Sequence, residues 1–449
     1  MAEKNNHTAE SLLALRLNGS SDWSLAQHEI ASNRAHLVVL KSIGYLNEAE
    51  QLRLDKGFTE LASRITKGMF VPKPTDQDVH QAVLRGITEM LGPDLASKVK
   101  IGRTKAEQSA TMVRLFLLEE SKQVRELVLD LIDAFTTKAH SHLSEVMPGR
   151  SNYQISQPVL ISHQILSYIW PLVRDLERLA QWRERAVFVP YGSGEFSGTS
   201  LQLDAGIFAQ ELGLGAPMAN SIDAVTTRDI SAEFVFIAST IALNLSRFAN
   251  DVLLWSTREF DYVSFASEMT LEQIEIAQLV KGKSNKINSD LTAILNALAS
   301  SNTGFSQSLD QGAKTIFEVI AELKIMLPAT KQMGIDLIFN SARLEELAGI
   351  NTAFELDIVD WLVRNKIALP QASMTASKVM DYAKKRGVTL AELTDAELAS
   401  ISPSLTPELR EVLNISGSIK TRTSAGGSSV ARVLDQISAL RRLVPESSR

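Results

Sequence analysis

The sequence predicts an all-α protein of three helical domains, with a bundle of long helices at its centre. Helix caps recur along the chain, and no segment keeps the two-residue alternation of a half-buried strand. Between Gly215 and Gly282 there is no glycine, and Pro217 is the only proline, so this span is predicted to form one or two very long helices. Such helices exceed what a compact domain buries alone, which favours packing against copies of the same chain.

Capping residues mark the predicted helix starts. Asn47 precedes Glu50 by three residues, which is the spacing of a capping box, and the same arrangement begins at Thr389 and at Thr394. We therefore predict short helices in residues 1–109, long ones in residues 110–345, and short, well-capped ones again in residues 346–449.

The composition is that of a soluble globular protein. Of the 449 residues, 45% are hydrophobic and 22% are charged, and the net charge of −6 argues against a nucleic-acid partner held by phosphate neutralisation. The absence of cysteine removes disulfides, thiolate catalysis and cysteine-ligated zinc, and it fits a reducing compartment.

No membrane partner is predicted either. Residues 1–15 lack an apolar core followed by a small-residue cleavage site. The most apolar stretch, residues 234–246, is free of charge but too short to span a bilayer, so it reads as the centre of a helical bundle. We expect a cytoplasmic protein.

The sequence lacks two common ligand-binding motifs, the phosphate-binding loop and the paired histidines of a metal site. The letters GKS at 282–284 resemble the end of a phosphate-binding loop, but the glycine required five positions earlier is Ala277. The seven histidines show no HxxxH or HExxH spacing. No metal and no cofactor is predicted.

A glycine-rich loop at residues 192–204, GSGEFSGTSLQLD, is the clearest candidate for ligand binding. Three glycines in seven positions, together with Ser193 and further hydroxyl residues, offer many N–H and O–H donors. Such a loop suits a carboxylate ligand. The alternative is a tight turn between helices.

Several stretches in fixed order resemble the argininosuccinate lyase branch of the fumarase/aspartase superfamily, which includes delta-crystallin. They are YGSGEFSGTSLQLD (191–204), ANSIDAVTTRD (219–229), LLWSTREF (253–260) and VKGKS (280–284). The resemblance implies a three-domain all-α fold and a homotetramer. It also implies elimination of fumarate from an N-substituted aspartate, with active sites built from three subunits.

The first active-site motif of that family is Pro-Gly-X-Thr-His-X-Gln. Here it reads PGRSNYQ, residues 148–154, so Ser151 replaces the threonine and Asn152 the histidine. A hydroxyl can substitute for a hydroxyl. A carboxamide does not titrate in the useful range and cannot move a proton as histidine does.

The other three motifs also depart from the family pattern. Where the family has GRSRNDQ, residues 102–108 read GRTKAEQ, with Ala106 at the position of an asparagine that grips the substrate carboxylate. Residues 261–284 lack the family's glycine-rich loop and lysine pair, although Ser264 remains near the position of the usual serine base. Gln307 stands where the family has a lysine.

These substitutions favour a divergent lyase, or a related enzyme, acting on an amino-acid derivative rather than a standard argininosuccinate lyase. The candidate catalytic residues are Ser151, Tyr153 and Ser264. The candidate substrate-binding residues are His80, Arg103, Lys105, Asn152, Gln154 and Ser193.

The alternative hypothesis is a catalytically inactive structural or binding homologue, or a partner subunit, that keeps the tetrameric fold. On that hypothesis His80 is a satisfied structural histidine, Arg103 and Glu107 only pair with one another, and Asp78 caps a helix.

Overall fold

The computed structural model describes residues 20–266, 270–299 and 307–443, and this part of the chain is mostly helical. Its α-helices are α1 (Ala26–Ser42), α2 (Glu48–Thr66), α3 (Val79–Leu91), α4 (Pro93–Ser97), α5 (Lys105–Ser141), α6 (Ile161–Ala186), α7 (Ala205–Leu212), α8 (Ser221–Thr226), α9 (Asp229–Trp255), α10 (Thr270–Ala299), α11 (Gln307–Asp336), α12 (Ser341–Ala348), α13 (Glu355–Arg364), α14 (Leu369–Arg386), α15 (Asp395–Ile401), α16 (Ile415–Thr421) and α17 (Val430–Arg441). Short 3₁₀ helices are Ser20–Leu25, Lys98–Lys100, Asn351–Phe354, Leu390–Glu392 and Pro407–Glu411. The strands are β1 (Val146–Ser151), β2 (Gln154–Leu160), β3 (Val263–Ser264) and β4 (Ile338–Phe339).

The all-α prediction is confirmed, and so are the long helices in the glycine-free span. That span contains α9, of 27 residues, and the start of α10, of 30 residues. Among the described helices, α9 is the one long and apolar enough to cross a membrane, but 56% of its most apolar window is buried inside the protein. This burial is typical of a core helix of a soluble protein.

The helix starts follow their predicted caps. Glu50 donates its N–H to the Asn47 side chain, and Asn47 donates its own N–H to the Glu50 carboxylate, at 2.9 and 3.1 Å. Thr394 makes the same reciprocal pair with Glu397. In the first turn of α10, Gln273 donates its side-chain N–H to Asp336 at 2.9 Å.

The chain divides into two compact units, and the division falls inside α5, α6, α9, α10 and α11. The first unit holds the described residues up to Arg125, Asp175–Thr240 and the described part of Asn285–Lys324. The second holds Glu126–Arg174, the described part of Ile241–Ser284 and the described residues from Ile325 onwards. The three-domain division with boundaries near residues 109 and 345 stays a prediction.

Aromatic contacts between long helices form part of the core of each unit. In the first, the rings of Trp182 and Phe234 lie 5.1 Å apart, which joins α6 to α9. In the second, Phe135 of α5 meets Phe248 of α9 edge-on at 4.9 Å. Gly334 of α11 also packs on Phe135, so closely that a Cβ there would lie 2.1 Å from the ring. Such contacts between long helices are typical of the interior of a helical bundle.

The stretch around residues 148–154 forms a β-hairpin, which the sequence did not predict. β1 pairs antiparallel with β2, and Ser151 pairs with Gln154 across the turn. The two turn residues, Asn152 and Tyr153, have φ of 50° and 63°. Positive φ at both central positions is the pattern of the two-residue turn that matches the twist of a hairpin.

Candidate active site

A cavity of about 220 Å³ in the first unit brings together three of the predicted substrate-binding residues, His80, Arg103 and Lys105. Its walls come from α1, α2, α3, the segment before α5 and the start of α5. The lining residues are Glu29, Asn33, Phe58, Asp78, His80, Gln81, Val83, Leu84, Val99, Lys100, Arg103, Lys105 and Gln108. Most of them are charged or polar, which is the lining expected of a site for a polar ligand.

Arg103 is the most deeply buried cation of this wall. Its side chain is 2% exposed, and its Nη2 donates to Ser32 at 3.0 Å. The guanidinium carbon lies 5.8 Å from the centre of the Tyr191 ring. Its Nε faces the carboxylate of Glu107 in an ion pair, and among the described residues its Nη1 has no hydrogen-bond partner. A buried guanidinium with unused donors is a binding point for an anion.

Glu107 supplies the opposite charge to Arg103, with Oε1 of Glu107 at 3.4 Å from Nε of Arg103. Its Oε2 accepts the backbone N–H groups of Gly192 and Gly194, at 2.9 and 3.2 Å. The glycine-rich loop therefore receives a carboxylate, as its donors predict, but the carboxylate belongs to the protein. Ser193 is buried in the same loop and does not line the cavity, so its role in substrate binding stays a prediction.

Lys105 and Asp78 form an ion pair on the cavity wall, with Nζ and Oδ2 2.9 Å apart. The other oxygen of Asp78 accepts the N–H of Gln81 and caps α3, as the sequence allowed. The cap fixes the first turn of α3, where His80 lies.

His80 lies against the carboxylate of Glu29, with Nδ1 and Oε2 3.2 Å apart. Burial disfavours the imidazolium, but the charges of Glu29 and Asp78 outweigh it, so the pKa of His80 is raised. Burial also opposes ionisation of Glu29, but His80 and Arg103 hold the pKa of Glu29 below its ordinary value. Both shifts favour the ionised form of the pair.

The remaining predicted residues lie in the second unit. Ser151, Asn152, Tyr153 and Gln154 are all exposed at the hairpin tip, and Tyr153 is 77% exposed. Arg150 fixes this tip, because it donates to the carbonyl of Tyr153 at 2.5 Å and stacks over Phe260 at 4.6 Å.

Ser264 lies exposed in β3, paired with Ile338 of β4. The roles assigned to Ser264 and to the four hairpin residues stay predictions. The residues between Ala266 and Thr270 lie outside the described part of the chain. Gln307 begins α11, but its side chain lies outside the described part.

Sequence reasoning missed Glu29 and Asn33, which line the cavity beside His80. Glu29, Ser32, Asn33 and His36 are polar residues spaced along the buried face of α1. Polar side chains at helical spacing on a face that is otherwise apolar were the available signal.

The arrangement can bind an anion through Arg103 and His80 while Glu29 and Asp78 balance part of the positive charge. Among the described residues, no group of three or more His, Cys, Asp or Glu side chains has the geometry to hold a metal ion.

Comparison with protein families gives two matches. A family model described as Lyase matches residues 6–272, and one described as Argininosuccinate lyase C-terminal matches residues 352–420. The argininosuccinate lyase of Thermobifida fusca is 37% identical over 98% of this chain and 94% of its own length. That of Leifsonia xyli is 38% identical over 96% of this chain and 92% of its own length.

Solved structures of the same fold are similar over most of the chain. An EDDS lyase variant with bound fumarate has a TM-score of 0.81 at 21% identity, covering 94% of this chain and 87% of that chain. The 3-carboxy-cis,cis-muconate lactonizing enzyme from Pseudomonas putida has a TM-score of 0.73 at 17% identity, covering 94% and 95%. At these identities the likeness shows the fold alone.

Proposed function

Because the chain belongs to the argininosuccinate lyase family of carbon–nitrogen lyases, we propose that it cleaves a carbon–nitrogen bond in an amino-acid derivative. An N-substituted aspartate is the substrate class that we favour. Elimination from such a molecule needs a base beside a carboxylate, donors for the negative charge that develops there, and an acid for the departing nitrogen.

The observation that carries this proposal is the buried guanidinium of Arg103 on the cavity wall, whose Nη1 lacks a hydrogen-bond partner among the described residues while its Nε faces Glu107. A substrate carboxylate supplies the charge-assisted hydrogen bonds that these donors lack. Lys105 and His80 line the same cavity and add positive charge. The cavity thus supports the substrate-binding roles proposed for these three residues.

We further propose that the reaction differs from that of a standard argininosuccinate lyase. Asn152 occupies the position of the family's histidine and cannot transfer a proton at useful pH. Ala106 replaces the family's asparagine, and its side chain is fully buried and does not line the cavity. Ser151, Tyr153 and Ser264 are the proposed proton-transfer residues, with Asn152 and Gln154 orienting the substrate.

We propose a cytoplasmic homotetramer. The hairpin tip is exposed in the single chain, and the family resemblance implies sites shared between subunits. Large apolar side chains are also exposed on the long helices, among them Phe236, Leu243, Leu279 and Leu295. Burying such side chains between copies is a strong driving force for assembly. Light scattering coupled to size-exclusion chromatography tests the tetramer, and a monomer at micromolar concentration would contradict it.

The decisive experiment is an assay of fumarate release by the purified protein. Argininosuccinate, adenylosuccinate and simpler N-substituted aspartates are the substrates to compare, each with wild type, Arg103→Gln and Arg34→Gln. Arg34 is the matched control because it pairs with Asp55 on the surface. We expect release from at least one N-substituted aspartate, a loss of about 100-fold or more in kcat/KM for Arg103→Gln, and wild-type activity for Arg34→Gln.

No release from any of them would overturn the proposal for this substrate class and favour the alternative of an inactive homologue or partner subunit. Equal turnover by wild type and Arg103→Gln would support the lyase activity but contradict the proposed role of Arg103 in binding the substrate carboxylate.

A further inference from the structure

Glu29 is a buried carboxylate that the family resemblance does not assign to the site. It lies on α1 with its side chain 2% exposed, and it lines the same cavity as Arg103. Its Oε1 accepts hydrogen bonds from Asn33 Nδ2 at 2.7 Å and from Gln108 Nε2 at 2.9 Å. Two amide donors from different helices therefore hold this carboxylate in one orientation.

The second oxygen of Glu29 faces His80. Oε2 lies 3.2 Å from Nδ1 of His80, and the His80 side chain is 12% exposed. Among the described residues, Nε2 of His80 has no hydrogen-bond partner. Nδ1 and Oε2 face each other as an ion pair rather than in the geometry of a hydrogen bond, so the carboxylate acts on the ring through its charge and leaves Nε2 for a ligand.

The charges around His80 come from four elements. Glu29 on α1 and Asp78 at the start of α3 favour the imidazolium, whereas Arg103 opposes it. Lys105 is paired with Asp78, and Lys100 lines the same cavity. Of these charges Glu29 raises the pKa of His80 most, and it lies 3.2 Å from the ring, so the protonation of His80 depends on it more than on any other.

We infer that Glu29 is a positioning residue that holds His80 as an imidazolium, so that its Nε2–H binds an anionic group of the ligand in this cavity. The inference rests on the proposed function only in taking the ligand to be a carboxylate. Glu29 itself does not touch the reacting atoms. It acts through His80, and the cavity then presents two cationic donors, His80 and Arg103, to a ligand with two carboxylates.

The first test is a nitrogen NMR titration of the full-length protein labelled with [15N]histidine, in the absence of ligand. His80 is assigned by comparison with His80→Gln. In wild type we expect both ring nitrogens of His80 to be protonated at pH 7. In Glu29→Gln we expect the ring to become neutral at that pH, with its midpoint lowered by about one unit or more. A neutral His80 ring in wild type at pH 7 overturns the inference without any variant.

The second test is calorimetric binding of succinate, a dicarboxylate that cannot undergo the elimination. We expect Glu29→Gln to bind succinate about tenfold more weakly than wild type at pH 7.5. The difference should shrink toward pH 5.5, where the His80 ring is protonated in both proteins. Glu60→Gln is the control, since Glu60 pairs with Arg64 on the surface of α2. Equal affinity of wild type and Glu29→Gln at both pH values would show a purely structural ion pair and overturn the inference.

The two tests separate this inference from the proposed lyase activity. Neither needs turnover, so the expected titration and binding can hold in a protein that releases no fumarate. Conversely, fumarate release together with a neutral His80 ring would support the lyase activity and contradict the role inferred for Glu29.

Discussion

Gly192 donates its backbone N–H to Oε2 of Glu107 over 2.9 Å, so the glycine-rich loop is bound to the start of α5 by the protein's own carboxylate. Oε1 of the same carboxylate faces Arg103 at 3.4 Å. The loop therefore acts on the cavity indirectly, by fixing the partner of the cation that lines it. Two of its N–H donors are used within the chain, and the ligand-binding donors that we propose are those of Arg103 and His80 instead.

The tight turn of this loop predicts a specific cost for a side chain at Gly194. Gly194 has φ of +61°, and a Cβ there would lie 2.4 Å from the carbonyl oxygen of Gly198. Gly194→Ala should lower the free energy of unfolding by about 2–4 kcal/mol, since left-handed strain and a backbone clash add together. Urea unfolding followed by circular dichroism measures this loss.

Gly213→Ala is the control for strain alone. Gly213 has φ of +63° at the end of α7, but a Cβ added there would meet nothing within 4 Å. We expect a loss of only about 1 kcal/mol there. Equal losses at the two positions would show that the loop relaxes around the new methyl group.

The segment leading into the cavity is held by a two-point ion pair between Asp76 and Arg85. Nε and Nη2 of Arg85 donate to the two oxygens of Asp76 at 2.9 and 2.8 Å. Lys73 adds its backbone N–H at 2.7 Å. Asp76→Asn should therefore cost about 2 kcal/mol, the worth of partly buried charge-assisted hydrogen bonds.

Asp55→Asn provides the comparison, because Asp55 pairs with Arg34 at 2.7 Å in a more exposed setting. We expect a cost of about 0.5 kcal/mol for that variant in the same denaturation experiment. An effect of Asp76→Asn no larger than that of Asp55→Asn would mean that solvent screens both pairs alike.

Local features of the fold could be predicted because each depends on neighbours in sequence. The Asn47 and Thr394 caps and the long helices of the glycine-free span follow from residue spacing alone. The hairpin could not be predicted in this way. Pro148 and Pro158, which read as breaks in structure, pair with one another across the two strands, and the Asn152–Tyr153 turn lacks the glycine that usually marks such a turn.

The cavity could be predicted only in part, because residues far apart in the sequence line it. Arg103 and Lys105 were identified through the motif GRTKAEQ, and His80 through the match DVH at residues 78–80, both supplied by the resemblance. Glu29 belongs to a helix 74 positions before Arg103 and carries no motif, so only folding shows that it lies against His80. Tertiary placement of a polar residue on a buried helix face is not encoded in any short window.

The Glu29–His80 pair predicts a particular pH dependence of stability. The pKa of His80 is raised on folding, so its contribution is fully present below the ordinary value of 6.5 and is lost as the pH rises through the raised pKa. The pKa of Glu29 is lowered, so its contribution is present above 4.5 and is lost as the pH falls. The Tm difference between wild type and His80→Gln should be largest between pH 4.5 and 6.5 and should narrow at higher pH.

His28→Gln is the control with the opposite sign. Burial, only partly opposed by Glu119 and Glu120, lowers the pKa of His28, so folding favours its neutral form. The Tm difference between wild type and His28→Gln should grow as the pH rises from the lowered pKa toward 6.5 and should level off above it. Parallel pH profiles for the two variants, measured by scanning fluorimetry, would contradict the ion pair assigned to His80.

Tyr153 combines a backbone strain with an exposed ring, and this predicts a division between stability and activity. A tyrosine at φ of 63° costs about 1 kcal/mol relative to glycine, and 77% exposure leaves its ring little packing to offset that cost. Tyr153→Gly should therefore keep or raise Tm.

If the phenol transfers a proton in the proposed reaction, Tyr153→Phe should leave Tm unchanged and lower kcat about 100-fold on the substrate that releases fumarate. Tyr45→Phe, at a 43% exposed tyrosine of the first unit, is the control that should alter neither quantity. Full turnover by Tyr153→Phe would exclude the phenol as acid or base and transfer that role to Ser151 or Ser264.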